Sequence, residues 1–226
     1  MKPLARTGGT SRSLSFWLGA LALTTGCAQI AGIDQAPTDP NASATGSASL
    51  CNTYCDTVMN NCKDPDYVYA SRDACTGVCQ AFVQLNLVGD PQQAIGNTLN
   101  CRLKQATAAG PTGEPAQYCP SAGPGGNGVC GSNCEGYCYL MMQICPAEFA
   151  TDQFQNSLSY CLAQCANIPV LDAGFDADQQ SGNTINCRLY HVSAAAAAAV
   201  AGLDDQTALH CTHAAGASPC VDPASQ

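Results

Sequence analysis

Apolar positions recur at helical spacing in two stretches of the chain, with the same offsets in both. Cys51, Tyr54, Cys55, Val58, Met59 and Cys62 stand at i, i+3, i+4, i+7, i+8 and i+11, and Cys134, Tyr137, Cys138, Met141, Met142 and Cys145 repeat that order. At 3.6 residues per turn, all three cysteines of each set share one helix face. A second helix is predicted after each, through Cys75, Val78, Cys79 and Phe82 in the first stretch and through Phe154, Leu158, Cys161, Leu162 and Cys165 in the second. Ser71 and Thr151 are the predicted N-caps. A third helix is predicted to open at Asp90-Pro91, a capping residue followed by proline, and to end near Gly110. Its counterpart is predicted from about Asp178 to Gly202. It passes through six consecutive alanines, residues 194–199, which combine high helix propensity with so little bulk that a neighbour can approach closely.

The N-terminal pattern is of another kind. Lys2, Arg6 and Arg12 precede an apolar run over residues 14–23 (LSFWLGALAL), then small residues, then Cys27. Basic start, short apolar stretch and small residues are the three parts of an export signal, and ten apolar residues are about half of what a membrane-spanning helix needs. Residues 1–26 are therefore expected to be removed. From Ala28 to about Ser49 the chain is rich in Ala, Ser, Pro, Gly and Asp. With Cys27 this segment, 27–50, reads as a flexible spacer, reaching on the order of 25 Å.

From Cys51 onward the cysteines form two sets of eight. Their successive steps are 4, 7, 13, 4, 22, 18, 11 and 4, 7, 16, 4, 22, 24, 9, and GNTLNCRL over residues 96–103 returns as GNTINCRL over 182–189. Shared spacing joined by shared sequence signals an internal duplication. The predicted organisation is one module over 51–130 and a second over 131–226. The predicted fold class is all-α and disulfide-rich, each module having three helices and an irregular stapled loop at its C-terminal end.

Antiparallel helices carrying cysteines four apart place them in two facing rungs, which predicts Cys51–Cys79, Cys55–Cys75, Cys134–Cys165 and Cys138–Cys161. A third helix opening at Asp90 puts Cys101 level with Cys62. This predicts Cys62–Cys101 and Cys145–Cys187, leaving Cys119–Cys130 and Cys211–Cys220 to staple the loops. At about 2–4 kcal/mol each, such bridges decide whether a module with few aromatic residues folds. Zinc sites favour C-x-x-C, which the chain lacks, as it lacks the C-x-x-C-H of covalent haem.

Composition narrows the reading further. Seventeen cysteines in 226 residues exclude an ordinary cytosolic enzyme domain. A net charge of −9, with 5 basic against 17 acidic residues once the signal is gone, excludes a nucleic-acid binder. No G-x-S-x-G, P-loop, HExxH or calcium loop is present, and only Lys63 and Lys104 remain as lysines after processing. Arg102 and Arg188, at the same place in the two repeats, are expected to pair with acidic residues of their own module. All three histidines, His191, His210 and His213, fall in the second module, where the first has Gln105, Tyr118 and Ser121. Three imidazoles brought together would suit zinc or copper. The plainer expectation makes His210 and His213 exposed loop residues and His191 a solvated helix residue, with no cofactor.

Gly26 and Cys27, after the apolar run, resemble the lipobox of bacterial lipoproteins, although Thr24 departs from the usual leucine. That resemblance implies a diacylglyceryl anchor on Cys27, leaves an even sixteen cysteines, and, with Ala28 next, implies the outer membrane. The GNT-x-NCRL segment, the Tyr190-His191 pair and the closing HC-x-H-A-x-G resemble cysteine-rich predicted lipoproteins of myxobacteria, which adds no activity. The expectation is a lipid-anchored cell-envelope protein with a non-enzymatic binding or structural role. Its partners would be the membrane and an envelope protein or ligand, and no nucleic acid. The alternative is a metal-binding or redox-accessory envelope protein using the histidines.

Overall fold

The computed structural model describes residues 40–170 and 174–222. The export segment, Cys27 and residues 28–39 of the spacer lie outside the described residues. Nine helices and no strand occur among the described residues: α1 Pro40–Asn61, α2 Arg72–Gln84, α3 Leu99–Thr112, α4 Pro115–Ala122, α5 Asn133–Ile144, α6 Pro146–Phe149, α7 Leu158–Cys165, α8 Ile185–Val200 and α9 Asp204–Ala214. The all-α, disulfide-rich class expected from the sequence is the one found.

The periodic faces are buried as predicted. Cys51, Tyr54, Cys55, Val58 and Cys62 of the first stretch are all buried, as are Tyr137, Cys138 and Met141 on α5. Helix α1 begins well before that face. It reaches back to Pro40, so the C-terminal part of the segment read as spacer is helical.

Each of the two cysteine sets pairs in the same order: first with fifth, second with fourth, third with seventh, sixth with eighth. Cys51–Cys79, Cys55–Cys75, Cys134–Cys165 and Cys138–Cys161 form as expected. The other four pairings expected from sequence do not form. Cys62 is bonded to Cys119 and Cys101 to Cys130; Cys145 is bonded to Cys211 and Cys187 to Cys220. The physical reason is the start of the third helix. Asp90-Pro91 makes a single turn, in which the Asp90 carboxylate accepts from the Gln92 amide and the Asp90 carbonyl from the Gln93 amide. The true N-caps are Thr98 and Thr184, whose hydroxyls accept from the amides of Cys101 and Cys187. Cys101 and Cys187 thus sit in the first turn, out of register with the ends of α1 and α5. The stretches around Cys119 and Cys211, read as loops, are helices α4 and α9, and they bring those two cysteines to the ends of α1 and α5. Ser71 caps α2 as predicted, while Ser157 rather than Thr151 caps α7.

The non-covalent framework repeats as closely as the bridges do. Tyr54 Oη donates to the Ala122 carbonyl at the end of α4, and Tyr137 Oη to the Ala214 carbonyl at the end of α9. Among the described residues, neither Arg102 nor Arg188 pairs with an acidic residue. Arg102, fully buried, donates to Gly123 O, Thr98 O, Pro124 O and Asn97 Oδ1 and lies over the Phe82 ring. Arg188 donates to Ala215 O and Asn183 Oδ1. A guanidinium presents five donors in a fixed fork, which backbone carbonyls at a helix end can satisfy without a carboxylate.

Both halves share one core. A single cluster of buried side chains runs from Cys51 on α1 to Ala214 on α9, and the described residues belong to one compact unit. Helix α8 is the hub, packing against α9, α2 and α5. Its alanine run permits this. A β-carbon at Gly77 of α2 would fall 2.5 Å from the Ala196 carbonyl oxygen, so the two helix backbones meet with almost no side chain between them.

Candidate functional site

Helix α8 ends a turn before α9 begins, and the two run side by side. Asp204 and Asp205 stand in the first turn of α9, where their charge suits the helix dipole, and His213 stands in its last turn. The Cys145–Cys211 bridge fixes α9 to the end of α5, and the Cys187–Cys220 bridge fixes the start of α8 to the chain beyond α9.

This framework brings the three histidines together. His191, one turn along α8 from Cys187, is buried at 5% exposure; His210 and His213 bracket Cys211 on α9 and are half-buried. One nitrogen from each ring lies within 4.8 Å of the others. His191 Nδ1 is 3.0 Å from His210 Nδ1, and His191 Nε2 is 3.2 Å from the Gln180 carbonyl oxygen. The His213 ring stands edge-on to the His191 ring at 4.7 Å between centroids, and its Nδ1 is buried with no hydrogen-bond partner. The expectation of exposed loop histidines is therefore corrected.

Burial lowers the pKa of all three. His191 is brought down to about 4, chiefly by burial; the Gln180 carbonyl opposes this and the other two imidazoles reinforce it. His210 is lowered by burial and by His213, and His213 by burial. At neutral pH the three rings are uncharged, each with one nitrogen lone pair to offer. Two other groupings, Cys187 with His191 and Cys220, and Cys145 with Glu148 and Cys211, have similarly short separations. Their sulfurs are spent in disulfides, which leaves no thiolate to ligate.

His210 also forms part of the wall of a cleft of about 350 Å³ between the N-terminal end of α2, α8 and α9. Val68, Tyr69, Phe175, Ala197 and Leu203 supply an apolar lining. Sequence reasoning missed this cleft, because it joins residues of both halves and needs the α2–α8 approach to exist. Beside Val68 and Ala177 in the chain, the Tyr67 hydroxyl donates to the Asp178 carboxylate, which raises the Tyr67 pKa to about 12.

The geometry defines a class: a helical, disulfide-stapled scaffold in which one pattern of bridges occurs twice and the histidine cluster lies in the second copy. Comparison with known proteins gives it a family. The model of the BfoA family C-terminal domain matches residues 17–133, and the chain belongs to that family. The match runs from the apolar N-terminal stretch to the first residue of α5 and leaves the three histidines outside it. No curated protein and no solved structure matches the chain.

Proposed function

We propose that this chain is an exported, non-enzymatic binding protein of the cell envelope, held at the outer membrane by lipid on Cys27. In this reading it takes an apolar ligand or partner segment in the cleft between α2, α8 and α9. One observation carries the proposal: all sixteen cysteines from Cys51 to Cys220 are bonded in eight pairs, and the one cysteine left over is Cys27, directly after the export-type segment. Bridges at this density persist only in an oxidising compartment. A thioether-linked diacylglycerol with a further acyl chain supplies the two or more hydrophobic anchors that stable attachment needs. The cleft offers mainly apolar contact, the usual chemistry of a binding pocket.

The experiment is metabolic labelling of the producing cell with a radioactive fatty acid, on the unmodified chain and on Cys27→Ala. Label on the unmodified chain that is absent from the variant, with the protein in the outer-membrane fraction, supports the reading. An unlabelled chain recovered free of membrane would overturn it.

A further inference from the structure

We propose that His191, His210 and His213 form a site for one divalent transition-metal ion of the zinc–copper class, leaving a coordination position open beside the cleft. The inference goes beyond the envelope reading and does not depend on the anchor, since it concerns only the folded second half.

The distances suit an ion. Two nitrogens bound to tetrahedral zinc at about 2.0–2.1 Å lie about 3.3 Å from each other, and His191 Nδ1 and His210 Nδ1 are 3.0 Å apart. The third nitrogen, within 4.8 Å of both, needs only a side-chain adjustment by His213, which is half-buried at the end of α9. Hydrogen bonding already selects the required tautomer of His191. A carbonyl oxygen only accepts, so the contact with Gln180 O places the proton of His191 on Nε2. Its Nδ1 lone pair then faces the other two rings and, in the metal-free chain, accepts from His210 Nδ1–H; an ion would take the place of that proton, which moves to His210 Nε2. Backbone carbonyls play this orienting role for metal-binding histidines generally.

A second, independent observation is the orphaned nitrogen. His213 Nδ1 is buried without a partner, on a ring that stands edge-on to His191, a state that costs on the order of 1–3 kcal/mol when nothing satisfies the atom. An ion would satisfy it. Protons do not compete for the site at neutral pH, because burial already keeps the rings uncharged.

The donor set decides the class of ion. Three imidazole nitrogens and no carboxylate favour zinc and copper over calcium or magnesium, which take oxygen. Three protein ligands on a tetrahedral ion leave the fourth position for water or a small ligand. His210 is common to the site and the cleft wall, so a ligand entering the cleft would reach that position. The helices are covalently held on either side, by Cys145–Cys211 next to His210 and by Cys187–Cys220 one turn from His191, so little ordering remains to be done on binding. At the aligned positions of the first half stand Gln105, Tyr118 and Ser121, which predicts one ion per chain and not two.

The test uses the untagged, fully oxidised chain, stripped with chelator and titrated separately with Zn²⁺ and Cu²⁺. The expected result by calorimetry, and by metal analysis after gel filtration, is one equivalent bound, with affinity falling at least tenfold in His210→Gln and in His213→Gln. Both residues are only half-buried, so both variants are expected to keep all eight bridges, checked by an absence of free thiols. A readout that needs no substitution is the Cu²⁺ electron paramagnetic resonance spectrum, where coupling to imidazole nitrogens is expected. Binding well below one equivalent, unchanged stoichiometry in the double variant, or a spectrum without nitrogen coupling would each overturn the proposal.

Discussion

The two halves of this molecule are built on one framework and differ in what they place on it. In both, the bridges join first to fifth, second to fourth, third to seventh and sixth to eighth cysteine, and a tyrosine of the first helix holds the end of the last. Where the first half has Gln105, Tyr118 and Ser121, the second has three histidines gathered within ligating distance. A covalently fixed frame tolerates such exchange, because its stability rests on the bridges and on helix-end hydrogen bonds and owes little to the exchanged side chains.

The parallel can be broken most forcefully at the long bridges. Replacing Cys62 and Cys119 together by alanine opens a loop of separation 57, and replacing Cys145 and Cys211 opens one of 66; each is expected to cost about 4 kcal/mol. Denaturant midpoints measured on the oxidised variants should fall by similar amounts, and a large inequality would show that the halves do not carry equal structural duty.

The arginines sharpen the comparison next. Arg102→Met strands four acceptors in a fully buried place and is expected to cost about 3 kcal/mol. Arg188→Met removes fewer bonds and is expected to cost about half as much, by the same denaturant measurement.

Acid titration of the metal-free chain should separate the halves through His191. Its folded pKa of about 4 lies below the ordinary 6.5, so between these values the unfolded chain binds the extra proton. Stability is therefore full above pH 6.5 and declines as pH falls towards 4, by on the order of 2–3 kcal/mol. His191→Gln, which installs the residue of the first half, is expected to flatten that slope in urea melts run across the range.

The smallest contrast lies at an aligned pair of serines. Ser132 caps α5 in a reciprocal capping box with Glu135, so Ser132→Ala is expected to cost about 1 kcal/mol. Ser49 occupies the equivalent place, but α1 runs through it from Pro40. Ser49→Ala is expected to be neutral or to stabilise by a few tenths of a kcal/mol, which thermal melts of the two variants would show.

Much of the fold was readable because cysteines four apart on an apolar helix face leave few partners. That logic found four bridges and failed for the rest at one point, the start of the third helix. Asp90-Pro91 looks like a helix opening, yet Gly96, at a φ of 89°, breaks the path. The repeated GNT held the correct signal in Thr98 and Thr184. The histidines stood out by type and clustering along the chain, but their convergence depends on α9 being a helix. Its sequence, DDQTALHCTHA, has an apolar face too narrow to show as a period, and packing against α8 supplies the order. The cleft had no local signature at all, since Gly77 and Ala196 approach each other from different halves.

The order of the bridges also sets how the chain bears tension. A pull applied between Cys51 and Cys220 finds two covalent routes through each half, one across the outer bridges Cys51–Cys79 and Cys101–Cys130, or Cys134–Cys165 and Cys187–Cys220, and one across Cys62–Cys119 or Cys145–Cys211. The first route leaves the 22-residue steps from Cys79 to Cys101 and from Cys165 to Cys187; the second leaves steps of 11 and 11 in the first half and of 11 and 9 in the second, and the step of 4 between Cys130 and Cys134 joins the halves. The two routes are of nearly equal length and share the load, so a body tied down at one end would lengthen a little under drag and then stop.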